Sequence, residues 1–77
     1  MNWQQYIVED PKILFGKPTI KGTRVPVDLI LEKLSKGVTI EYLLTAYPHL
    51  KAEQLYACLS YAVAMIRNEE SFLTPAS

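Results

Sequence analysis

The sequence has one cysteine, Cys58, one histidine, His49, and only three glycines among 77 residues. A single cysteine excludes a disulfide framework and a cysteine-ligated zinc site, and it suits a reducing compartment. A single histidine leaves zinc without its usual ligand set. No run reaches the ~18 apolar residues of a membrane span. The opening Met1-Asn2-Trp3-Gln4-Gln5 has neither the basic nor the apolar region of a secretory signal. A cytoplasmic location without membrane contact is the resulting expectation. Net charge is lacking too: eight Lys and Arg balance eight Asp and Glu. That balance excludes a polybasic tail and an acidic disordered chain.

What is present is apolar surface. Hydrophobic residues make up 49% of the chain and charged residues 21%. A domain this small buries only ~60% of the surface its unfolded chain exposes. So much apolar area on so small a body predicts self-association.

Composition divides the chain. Residues 1–25 form a β-rich, turn-rich region, residues 26–67 read as three helices of the same single domain, and 68–77 read as a flexible tail. The expected class is α+β, mainly α. Tyr6-Ile7-Val8 is a short strand-like run closed by Asp10-Pro11, and Ile13-Leu14-Phe15 is a second apolar run ended by Gly16. Thr19-Ile20 and Thr23-Arg24-Val25 flank Lys21-Gly22, where glycine supplies the positive φ of a tight turn; this predicts a hairpin across that turn.

Pro26 suits the first position of a helix carrying Val27, Ile30, Leu31 and Leu34 on one face, with Gly37 just past its end. Thr39 caps a second, short helix that Pro48 stops. The third helix, about Ala52 to Arg67, is apolar around most of its circumference; only Glu53, Ala57, Ser60, Ala64 and Arg67 form a polar or small line. A helix of that kind is covered on more than one side. The predicted cover is a second copy, packed on Leu55, Tyr56, Leu59, Val63 and Ile66 in a homodimer.

Catalytic signals are weak. Gly16-Lys17-Pro18-Thr19 lacks the earlier glycine and the Ser or Thr after lysine that a phosphate-binding loop requires. Cys58 falls within the apolar stripe, where thiols are inert packing groups. The expectation is a protein that is not an enzyme, with no cofactor, metal or small-molecule substrate.

Charge placement says more. From Lys12 to Arg24 the chain carries Lys12, Lys17, Lys21 and Arg24 and no acid. This cluster is either a solvated loop set whose lysines discourage edge-strand aggregation or a phosphate-contacting arm. Two short helices, a Tyr47-Pro48-His49-Leu50 turn and a longer helix also suit a helix-turn-helix. Its reading residues would be Lys51 and Gln54, with Glu53 beside them opposing phosphate. At the C-terminal end, Phe72 and Leu73 follow Glu69-Glu70 and suit a short docking segment.

Asp10-Pro11, the string Gly16-Lys17-Pro18-Thr19-Ile20-Lys21-Gly22-Thr23-Arg24-Val25-Pro26-Val27, and Tyr47-Pro48-His49-Leu50 together resemble the domain-of-unknown-function family 433 (DUF433). The likeness runs from about Ile7 to Met65. It implies an N-terminal β-hairpin on a helix-turn-helix-like, homeodomain-like helical domain, commonly dimeric. It also implies an antitoxin similar to some VapB-type antitoxins, binding and silencing a PIN-like ribonuclease toxin. On that expectation the basic residues Lys17, Lys21 and Arg24 would pair with the carboxylates of the partner nuclease, and Phe72 and Leu73 would anchor in an apolar groove. A DNA-binding regulator and an orphan dimeric scaffold are the alternatives. Phe15 stands where the family often has the first glycine of a Gly-Gly pair, and Lys51 where a Ser or Thr helix cap is expected.

Overall fold

The computed structural model describes the backbone of residues 1–73 and the side chains through Asn68. Two short strands, β1 (Ile7–Val8) and β2 (Thr19–Ile20), precede three helices, α1 (Val27–Ser35), α2 (Ile40–Ala46) and α3 (Ala52–Leu73). Single 3-10 turns lie at Trp3–Gln5 and Leu14–Gly16.

The strands pair antiparallel, Ile7 opposite Ile20 and Val8 opposite Thr19. The expected hairpin across Lys21-Gly22 is therefore joined by a strand from upstream. Its turn forms: the Thr23 amide donates to Ile20 O at 3.0 Å, and Gly22 sits at φ +79°. Thr23 locks the turn, since its hydroxyl donates to Ile20 O at 2.6 Å and accepts from the Val25 amide at 3.0 Å. The downstream arm returns alongside β2: the Ile20 amide donates to Val25 O and the Val27 amide to Pro18 O, each at 2.9 Å, with an antiparallel bridge from Thr19 to Pro26. Pro26 has no N–H to add to that ladder, and the regular strand pairing of β2 is with β1, upstream of the turn.

A two-stranded ribbon is marginal by itself, so packing must hold it. Ile7 and Ile20 enter one core with Val27, Ile30, Leu43, Leu50, Leu55, Ala57 and Cys58. Each large aliphatic side chain buried there contributes ~1.5–3 kcal/mol. Trp3 stands edge-on to Tyr61 of α3, centroids 4.9 Å apart, and the Tyr61 hydroxyl donates to Glu9 Oε2 at 2.7 Å. These contacts fasten the segment before and after β1 to the third helix. Thr19 is fully buried, and its hydroxyl has no hydrogen-bond partner among the described residues.

Local signals set the helix ends. Pro26 caps α1 one position earlier than the sequence suggested. Past Lys36, the Gly37 amide donates to Leu34 O and the Val38 amide to Lys33 O, with Gly37 at φ +91°. This bond pair closes a Schellman motif. Thr39 Oγ1 accepts from the Tyr42 amide at 3.0 Å and caps α2.

The third helix runs to Leu73, past the expected end at Arg67. Neither Gly nor Pro interrupts the sequence between Ala52 and Leu73, so nothing local stops the helix at Arg67.

Candidate interaction surface

The basic segment is built from turns. Asp10 Oδ1 accepts from the Lys12 amide at 2.9 Å, and the Ile13 amide donates to Asp10 O at 2.8 Å. Leu14, Phe15 and Gly16 then follow one another at φ +50°, +59° and +84°. Glycine takes this left-handed region freely; Leu and Phe do so at ~1–2 kcal/mol each. The turn thus holds a conformation suited to the family's glycine, with phenylalanine in it. The Phe15 side chain makes no use of the interior: its exposure is 102%. A strained backbone presenting a fully exposed aromatic ring is a feature the sequence signalled only as a departure from the motif.

The four cations of this segment are not equivalent. Lys17 reaches Asp28 at 2.8 Å, tying the loop to the first turn of α1. That exposed pair is worth less than ~1 kcal/mol, but it occupies Lys17 within the protomer. Lys21 and Arg24 are exposed and form no ion pair among the described residues. Gly22 and Thr23 are absorbed by the turn; Arg24 is left at its surface. It lines an open groove of about 630 Å³ with Ile13, Thr23, Val25 and His49. His49 also rims a second groove, of about 360 Å³, which Tyr6, Lys51, Glu53 and Gln54 complete. Cations from the turn and from the mouth of α3 are thereby brought to adjoining sites.

Gln54 has a structural role that the sequence reading missed. Its Oε1 accepts from the Lys51 amide at 2.7 Å, half of a capping box. Lys51 offers no side-chain acceptor, and Gln54 satisfies the amide instead. Bidentate pairing with adenine needs the same acceptor, so base reading by Gln54 would open the cap. Lys51 itself is exposed.

On α3, Tyr56, Leu59, Val63 and Ile66 remain 50%, 40%, 45% and 58% exposed. Leu55 does not belong with them. Its exposure is 0% inside the protomer's own core, so no surface remains for a partner. Ala57, which the sequence placed on the polar or small line, is also fully buried. The side chains of Phe72 and Leu73 lie outside the described residues, as do residues 74–77.

Cys58 is buried, and desolvation pushes its thiol up to about 11, far from a thiolate nucleophile at neutral pH. Among the described residues no three His, Cys, Asp or Glu side chains converge on a metal-sized site. No described helix is long and apolar enough to cross a membrane.

A family model described as "Protein of unknown function (DUF433)" matches residues 7–62. The chain belongs to the DUF433 family. It is 36% identical over 61 residues to "Uncharacterized protein y4eO" of Sinorhizobium fredii (strain NBRC 101917 / NGR234). That match covers 79% of this chain and 28% of the relative, so the DUF433 unit here spans under a third of that protein's length. No solved structure matches significantly. Within the DUF433 string, Gly22 and Thr23 build the turn, while Arg24 is exposed beside the groove.

Proposed function

We propose that this DUF433 protein acts by binding, as a cytoplasmic antitoxin that dimerises through α3 and silences a PIN-like ribonuclease. The observation that carries this reading is Phe15, fully exposed on a left-handed turn within a segment whose Lys21 and Arg24 are unpaired among the described residues. Strain held where it gives no internal packing points to use elsewhere. An exposed aromatic ring in the same segment as exposed cations suits an apolar pocket rimmed by carboxylates. A metal-dependent ribonuclease of the PIN-like kind gathers acidic side chains around its active site, and guanidinium–carboxylate bonds are about twice as strong as neutral ones. Lys21 and Arg24 would occupy that acidic rim, with Phe15 as the anchor. Binding would then block the path of the RNA.

The test uses the full chain, co-expressed with the ribonuclease encoded beside it, and measures inhibition of RNA cleavage. Phe15→Gly should weaken inhibition by ~30-fold, as expected for loss of an aromatic hot spot. The same change should leave the free protein as stable or up to ~1 kcal/mol more stable, because the strain is relieved. Lys21→Glu with Arg24→Glu should abolish inhibition. Full inhibition by both variants would refute the reading.

A second reading, a DNA-binding regulator, is favoured by the cations Arg24 and Lys51 rimming adjoining grooves on either side of His49. It requires a salt-dependent mobility shift that Lys51→Ala weakens. The absence of any shift at low salt removes it.

A further inference from the structure

The exposed apolar residues of α3 repeat at intervals of three and four: Tyr56, Leu59, Val63, Ile66. At ~100° per residue they span an arc of roughly 80°, the narrow seam of a two-helix coiled coil rather than the broad face of a core helix. Alongside the seam runs a second column, Glu53, Ser60 and Arg67, spaced seven apart. Glu53 and Arg67 are exposed and join no ion pair with another described side chain in the protomer. The opposite flank begins with Leu55, which the protomer's own core covers.

We infer that a second copy of this chain covers the seam in antiparallel register, with Glu53 of each copy facing Arg67 of the other. This deepens the dimer reading above and rests on it. In a parallel pair the two Glu53 columns lie on opposite sides of the seam, and no acid meets a base. Reversing one helix brings the columns together on the same side. The acid near the start of one helix then lies within about 3 Å, along the axis, of the base near the end of the other, and Ser60 approaches its own symmetry mate. The same register sets Tyr56 opposite Ile66 and Leu59 opposite Val63. Each large side chain then meets a β-branched one, where the parallel pair stacks Tyr56 on itself. The self-complementary charge order, together with a seam of matching spacing, selects a second copy over any other occupant.

The experiment is sedimentation equilibrium on the full chain, comparing dimer dissociation constants. Arg67→Glu sets like charges side by side at both ends and should weaken the dimer by ~10-fold. Adding Glu53→Arg reverses both partners and should restore the constant to within ~3-fold of the original protein. A merely structural role for either residue gives no such rescue. Independently, Ser60→Cys should be linked into covalent dimers by a short bis-maleimide, with the original protein and its buried Cys58 as the control. A dimer in which the swap fails to rescue and Val63→Cys forms a disulfide with itself overturns the register but keeps the α3 dimer. A dimer linked at neither position overturns both, as does a monomer at every concentration.

Discussion

Leu55, Ala57 and Cys58 on one side of α3 are wholly buried, while Tyr56, Leu59, Val63 and Ile66 on the other keep 40–58% of their surface. The outer residues are larger and just as apolar. What separates the two sets is the protomer's own packing: the Trp3–Gln5 turn, β1, α1 and α2 all pack against α3, and the inner set lies in the core they form. A helix apolar on both sides therefore serves two packing problems. The inner side holds the protomer together, and the outer side is available to a partner.

The sharpest way to break this comparison is to truncate one leucine on each side. Leu55→Ala should cost ~3 kcal/mol of unfolding free energy, the usual loss for a buried leucine, at any protein concentration. Leu59→Ala should cost under ~1 kcal/mol when measured dilute, where association no longer contributes. Equal losses in urea unfolding under dilute conditions would erase the distinction between the two faces.

A smaller effect isolates the inner face by pH. Burial raises the Cys58 thiol from 9.0 to about 11. Between those values the unfolded chain has released this proton while the folded chain keeps it, so stability falls as pH rises. The loss approaches ~2 kcal/mol near pH 11 and is absent below pH 9. Tyr61 is raised from 10.0 to about 12 by desolvation and then by its bond to Glu9, and it adds a loss of the same sign at higher pH. Urea midpoints at pH 8 and pH 10 should therefore diverge, and Cys58→Ala should reduce the divergence. An identical divergence in that variant would show that the thiol is not the cause.

Legibility from the sequence followed the range of the contacts. Gly37, Thr39 and the Gly22 turn were readable because each acts within a few residues, through a positive φ or a short side-chain bond. The β1–β2 pairing was not, because it joins residues a dozen apart, beyond the reach of any local turn signal. The face of Ala57 was missed because alanine suits either side of a helix. At the interaction surface, the segment's charge was visible, but the ion pair that engages Lys17 and the cap that occupies Gln54 depend on three-dimensional approach. Phe15 was legible only as a substitution for glycine; its exposure came from the turn.

The whole account turns on the outer face of α3 being a contact between copies. Sedimentation equilibrium of the original protein and of Val63→Glu at micromolar concentration tests it most directly. The original should sediment as a dimer, and the variant as a monomer with the same helical circular dichroism. A well-folded monomer from the original protein, or an undiminished dimer from the variant, would contradict it.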